Sequence, residues 1–215
     1  MAPLPVSPDL RSNLGTWAVP SAQLPAVARF MLGAAPTEGF DPLFQGQDLE
    51  TTYLDTTDFA LRKARRGGQH YLTLRLRCYG STDNYALSAK TELDKWRSEI
   101  SHSQAQAIEN ERQSRALLES ILPANLLARL QELTGNVTPG PVVTVYSRRY
   151  AVEDDRDRYT LDCGTRTDTG LCLPGSVLEF KSTAGGEPPP PALLALGLRR
   201  IKLSKFLWAS AWTCR

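Results

Sequence analysis

Between Asp58 and Asp83 the chain carries six basic side chains, Arg62, Lys63, Arg65, Arg66, Arg75 and Arg77, and no acidic one. The second half of this stretch, Tyr71 to Tyr79, alternates. Leu72, Leu74, Leu76 and Cys78 fall on one side, and Tyr71, Thr73, Arg75, Arg77 and Tyr79 on the other. Side chains of a strand alternate faces with a period of two, so this is a strand with one apolar face and two arginines about 7 Å apart on the other. Such a pair has two readings. One is the solvated outer face of a sheet. The other is a site for a polyanion, since guanidinium is always charged and its planar donors fit phosphate oxygens.

The same pattern recurs along the chain. Ala86, Ser88 and Lys90 share a face, as do Lys95, Arg97 and Glu99. Tyr146, Arg148 and Tyr150 share another, followed by Arg158, Thr160 and Asp162, and by Val177, Glu179 and Lys181. An up-and-down antiparallel barrel would aim these faces inward. Converging like charges are costly unless an anion neutralises them, which points to a triphosphate or polyphosphate ligand. Glu179 is a lone carboxylate among the inward candidates, apart from Asp162 and Glu99, and a carboxylate beside phosphate oxygens is a common way to hold Mg²⁺ or Mn²⁺.

Composition sets the frame for these side chains. With 215 residues, 41% hydrophobic and 22% charged, the chain fits one sizeable globular domain. A formal net charge of +2 is too small to point to nucleic acid, and none is expected as partner, so an anion site has to come from local clustering. The start, Met1-Ala-Pro-Leu-Pro, is unlike a signal peptide, and no apolar run is long enough to span a membrane. Cys78, Cys163, Cys172 and Cys214 show no metal-type spacing and read as reduced thiols of a cytoplasmic protein.

The elements follow from periodicity and breakers. Residues 1–12 read as an irregular, proline-rich lead-in, with a single domain over 13–215. Thr16 to Pro20 is a short strand, and Ser21 caps a helix with the stripe Leu24, Val27, Met31, ended by Gly33. Leu49 to Leu54 is a strand, and Asp55 to Asp58 a turn. Arg62, Lys63, Arg65 and Arg66 read as a solvated loop. Tyr85 to Lys90 is a strand, and Ser101 to Leu133 is helical with a break at Pro123. Val142 to Val152 is a β-branched strand, Glu153 to Arg158 a hairpin turn, and Ser176 to Lys181 a strand. Ala192 to Trp212 closes the chain as a mostly helical segment carrying Lys202, Ser204 and Lys205. The fold class expected is α+β, an antiparallel β-barrel with helices packed outside.

Over roughly Leu14 to Trp212 the sequence resembles the VTC domain, the polyphosphate polymerase branch of the CYTH-like, triphosphate-tunnel superfamily. Trp17-Ala-Val-Pro-Ser-Ala-Gln-Leu resembles its opening strand and helix, and Tyr53-Leu-Asp-Thr-Thr-Asp-Phe-Ala-Leu its Y-x-D-T segment. Leu74-Arg-Leu-Arg-Cys-Tyr-Gly80 is similar to its paired-arginine strand. Val145-Tyr-Ser-Arg148 resembles its Tyr-x-Arg strand, and Arg158-Tyr-Thr-Leu-Asp162 the strand after it. Val177-Leu-Glu-Phe-Lys181 resembles its L-E-x-K strand, and Lys202-Leu-Ser-Lys-Phe206 its closing K-x-S-K motif.

The resemblance implies a basic tunnel that transfers the γ-phosphate of ATP to a growing polyphosphate chain with a divalent metal. It implies phosphate contacts from Arg75, Arg77, Lys90, Arg148, Lys202 and Lys205, hydrogen bonds from Tyr146 and Ser204, and Mn²⁺ or Mg²⁺ at Glu179. Lys95, Arg97, Arg158 and Lys181 join as further inward cations. Phosphoryl transfer suits such a lining, because it needs mainly positioning and charge stabilisation. Three departures stand out: Leu14 and Ser88 occupy places where the superfamily carries carboxylates, and Thr16 a place where it carries a basic residue. Triphosphate hydrolysis and non-catalytic binding of polyphosphate or nucleotide therefore stand beside polymerisation as alternatives.

Overall fold

The computed structural model describes residues 12–33, 46–68, 70–80, 84–184 and 188–211. The expected lead-in, the loop after Gly33, Trp212 and Cys214 lie outside them, except that Ser12 already belongs to the first strand. The strands are β1 (Ser12–Val19), β2 (Gln47–Asp55), β3 (Thr73–Tyr79), β4 (Tyr85–Lys90), β5 (Lys95–Ile100), β6 (Gly140–Glu153), β7 (Asp157–Thr167), β8 (Ser176–Ser182) and β9 (Arg199–Arg200). They form one antiparallel sheet in the order β5-β4-β3-β2-β6-β7-β8-β1-β9. No pairing joins β5 to β9, so the sheet is open, not the closed barrel expected. It does bend round on itself. Arg65, just before β3, lines one cavity with Asn13 and Thr16 of β1, although β3 and β1 are five strands apart in that order, about 24 Å on a flat sheet at about 4.8 Å per strand.

The convex face carries two cores. Leu54, Leu61, Leu72, Leu74, Leu76 and Leu87 pack under α3 (His102–Glu109), α4 (Glu111–Ile121) and α5 (Ala124–Thr134). The expected helical stretch is thus three helices, broken at Asn110 as well as at Pro123. Trp17, Val19, Leu161, Leu178 and Phe180 pack with Val27 and Met31 of α1 (Leu24–Gly33). Ser21 does not cap α1; it opens a 3₁₀ turn over Ser21–Gln23.

The Tyr53 to Asp58 segment starts a helix where a loop was expected. Asp55 is buried, and its Oδ1 accepts from the backbone N–H of Thr56 and of Leu61, both at 2.8 Å; Oδ2 accepts from that of Arg62 at 2.9 Å. Those donors would otherwise be unsatisfied at a helix start. They anchor α2 (Ala60–Gly67), which carries Arg62, Lys63, Arg65 and Arg66.

The concave face is closed over in part by the chain end. Between β8 and the C-terminal helix come only a short α6 (Pro191–Leu194) and β9, so the closing segment is less helical than its composition implied. α7 (Lys205–Ser210) packs inside the trough, with Phe206 and Ala209 against Tyr53, Val143 and Val145; Tyr53 and Phe206 stack at 5.0 Å between ring centroids. This contact reverses the expected facing of β6. Val143 and Val145 pair with Tyr53 and Thr51, which pair in turn with Arg75 and Arg77. The inward set of β6 is therefore Val143, Val145, Ser147 and Arg149, and Tyr146 and Arg148 face out.

Candidate anion-binding site

The wall made by β3, β4 and β5 supplies most of the positive charge. Arg75 stands opposite Ser88, and Ser88 opposite Arg97; Lys90 stands opposite Lys95; Arg77 is two residues from Arg75. The Nε atoms of Arg75, Arg77 and Arg97 and the Oγ of Ser88 are buried and find no hydrogen-bond partner among the described residues. A buried donor left unpaired costs about 1–3 kcal/mol, more when charged, so this wall is unfinished without a ligand. Burial first, and Arg77 second, lower Arg75 to about 10. Burial, then Arg65, Lys95 and Arg75, lower Lys90 to about 8, against a smaller opposite pull from Glu179. Converging cations held below their usual range are what an anion would relieve.

The opposite wall carries carboxylates among its cations. Arg149 donates from Nε and Nη2 to the two carboxylate oxygens of Asp162, each at 2.7 Å, and Lys205 Nζ also pairs with Asp162. Burial alone would raise Asp162; Arg149 and Lys205 outweigh it and hold the carboxyl well below the usual range. Arg158 lies 3.4 Å from Glu153 between Nε and Oε2. Glu179 accepts from Asn13 Nδ2 at 2.8 Å and lies 4.0 Å from Lys181 Nζ. Burial raises its carboxyl, but Lys181 and Arg149 lower it further, to a net value below the usual range.

A cavity of about 1080 Å³ opens at the trough end, lined by Asn13, Thr16, Arg65, Arg200, Lys202 and Ser204 among others. Lys202 is exposed there. Ser204 is spent on α7, capping it with its hydroxyl 3.4 Å from the Leu207 amide. Arg65 lies over the Tyr71 ring, 3.8 Å from its centroid, and so belongs to the mouth of the trough.

Arg75, Arg77, Lys90, Lys95, Arg97, Arg158, Glu179, Lys181 and Lys205 thus share the concave face. Arg148 and Tyr146 do not. Arg148 pairs with Asp48 at 3.3 Å and is half exposed, and Tyr146 lies under Arg166, in a separate cavity on the convex side. The basic residue that β6 sends inward is Arg149. The residues missed on the concave face are Asn13, Arg65 and Arg149. Leu14 was also misplaced: β1 shifts register between Asn13 and Gly15, so Leu14 packs on the convex core and Asn13 takes the place beside Glu179. Ser88 is inward, where a carboxylate was looked for.

The donor set does not fit a divalent metal held by protein alone. Both oxygens of Asp162 are committed to Arg149 and Lys205, and Glu179 is left as a single carboxylate shared with Asn13. Among the described residues no three His, Cys, Asp or Glu side chains group in a way that could hold a metal ion.

Comparisons with known proteins agree with this architecture. No family model matches the chain, and no curated protein matches it. Solved structures do. A Bacillus halodurans protein provisionally described as an adenylate cyclase superposes with a TM-score of 0.60 at 12% identity, over 89% of this chain and 93% of that one. A Hippeastrum protein, described as a candidate adenylyl cyclase with a dominant triphosphatase activity, gives 0.58 at 15%, over 94% and 95%. A Vibrio parahaemolyticus protein, also provisionally an adenylate cyclase, gives 0.53 at 14%, over 90% and 95%. At these identities the likeness is one of fold. No helix among the described residues is long and apolar enough to cross a membrane.

Proposed function

We propose that this chain binds a linear phosphate chain, inorganic triphosphate or longer polyphosphate or the triphosphate arm of ATP, along the wall made by β3, β4 and β5. The observation that carries the reading is the set of three buried arginine Nε atoms without hydrogen-bond partners on one wall, Arg75, Arg77 and Arg97, beside a Lys90 that burial and like charges depress. Phosphate oxygens would complete those donors and relieve the repulsion in one step. Lys95 extends the wall, and Lys202 and Arg65 serve the entrance. Arg149 and Lys205 shape the opposite side, both held by the Asp162 carboxylate.

Hydrolysis of the bound triphosphate is the second reading, because the Hippeastrum protein of the same fold is described with a dominant triphosphatase activity. Transfer of the ATP γ-phosphate to polyphosphate starts from the same bound state. It rests on the motif resemblance, and it asks more of a metal than one carboxylate at Glu179 offers. Titration of tripolyphosphate at low and high salt, followed by phosphate release and polyphosphate gels with ATP or triphosphate and Mg²⁺ or Mn²⁺, tests these readings in turn. Saturable binding that weakens with salt supports the binding site. Absence of binding at low salt overturns it.

A further inference from the structure

Tyr79 closes β3 on the same face as Arg75 and Arg77. Its hydroxyl accepts from Arg77 Nη1 at 3.3 Å. Its ring lies under the guanidinium of Arg97, with Arg97 Cζ 5.0 Å from the ring centroid. β3 and β5 are not neighbours; β4 lies between them. One side chain therefore touches two cationic groups that come from different strands, each with an Nε still lacking a hydrogen-bond partner.

We propose that Tyr79 is a positioning residue for the phosphate chain: its hydroxyl holds Arg77 and its ring holds Arg97, so that both guanidiniums meet the same ligand. This rests on the phosphate-binding reading above. A guanidinium free to turn loses orientation that a phosphate contact has to restore, and a ring face under Arg97 lowers that cost while keeping the charge. The groups facing the phenol are Arg77 on its own strand, Arg97 from β5 and Arg149 from β6, with Leu49 of β2 alongside; Glu99, on the Arg97 face, is exposed.

Those charges also tie the phenol to the ligand. Burial pushes the Tyr79 hydroxyl up, but Arg77 and Arg97 outweigh it and bring it down to about 8. Above that pH the phenolate competes with a phosphate for the same two arginines. Binding an anion beside it returns the phenol towards its ordinary value, so binding takes up a proton there.

The test compares wild type, Tyr79→Phe and Tyr79→Leu by calorimetric titration with tripolyphosphate between about pH 7 and 9.5, with tyrosinate absorbance followed at the alkaline end. Tyr79→Phe keeps the ring and loses the hydroxyl. It is expected to bind roughly three- to tenfold more weakly at pH 7, where the phenol is protonated. At alkaline pH it should take up one proton fewer per ligand than wild type. Tripolyphosphate should suppress tyrosinate absorbance in wild type and not in Tyr79→Phe. Tyr79→Leu should bind more weakly than Tyr79→Phe, since Arg97 then loses its ring as well. If wild type binds and Tyr79→Phe matches it in affinity, proton uptake and absorbance, the role of Tyr79 is wrong and the trough stands. If wild type itself does not bind, the phosphate reading fails and this inference with it.

Discussion

Arg149 and Asp162 face each other across β6 and β7 with two parallel hydrogen bonds of 2.7 Å, and Lys205 of the C-terminal helix joins them on the same carboxylate. This places two cations on one buried carboxylate inside a trough, while Arg75, Arg77 and Arg97 on its other wall keep unpaired Nε atoms. Asp162 is 5% exposed and Arg149 14%. Removing one member of a buried pair is costly because the other is left charged and unpaired.

Asp162→Asn is therefore expected to lower stability by about 3–5 kcal/mol in the absence of ligand. Tripolyphosphate should recover part of the loss, since an anion in the trough can take over Arg149 and Lys205. Thermal melting with and without tripolyphosphate checks both. A ligand-induced rise in melting temperature no larger in the variant than in wild type would argue that the network lies apart from the ligand.

The acid limb has a sign fixed by the same group. Asp162 is held below its unfolded value of about 3.8, so it stabilises the fold above that pH and the contribution is lost as pH falls further. Chemical denaturation from pH 6 to pH 2 should show wild type losing stability below about pH 4, and Asp162→Asn losing less of it.

Arg77→Ala should weaken tripolyphosphate binding roughly 10- to 100-fold, as expected for a lost hydrogen bond to a charged group. Arg148→Ala should change it by less than about twofold, because an exposed ion pair with Asp48 contributes little and lies on the other face. Calorimetry of the two variants at one salt concentration separates them. Equal losses would put the ligand elsewhere.

Lys90 gives a second handle on alkaline pH. Its value of about 8 means that the free protein loses this charge as pH rises past that point, and affinity falls with it by up to about tenfold per pH unit for each proton involved. Lys90→Arg keeps its charge throughout, so at pH 9.5 it should bind more tightly than wild type relative to the ratio at pH 7.

Since no three metal-type donors cluster among the described residues, Mn²⁺ alone should leave the melting temperature unchanged. Tripolyphosphate should still bind in the presence of EDTA. A calorimetric signal for Mn²⁺ without ligand, lost in Glu179→Gln, would show that the site holds metal on its own.

Much of this was legible in sequence wherever one face of a strand was plainly apolar. The leucines of β3 gave away the facing of Arg75 and Arg77, and Leu178 with Phe180 did the same for Glu179 and Lys181. The rule failed on β6. Val143 and Val145 are apolar yet face inward, because α7 folds back into the trough and offers them Phe206 and Ala209. No local pattern announces that contact, and it moved the inward basic residue from Arg148 to Arg149. The placing of Leu14 failed through a one-residue register shift in β1, invisible to a period of two. The basic stretch before Gly67 read as a loop because its cap, Asp55, lies outside the helix it starts. Closure of the sheet is inferred from basic faces that a barrel would aim inward, but an open, curved sheet aims them inward as well.

A structure of the protein with tripolyphosphate tests the central claim most directly. The account predicts the phosphate chain on the concave face, with oxygens in hydrogen-bond reach of the Nε atoms of Arg75, Arg77 and Arg97 and near Lys90 Nζ. Phosphates bound instead on the convex side, among Tyr146, Arg148 and Arg166, with those three Nε atoms still unpaired, would contradict it.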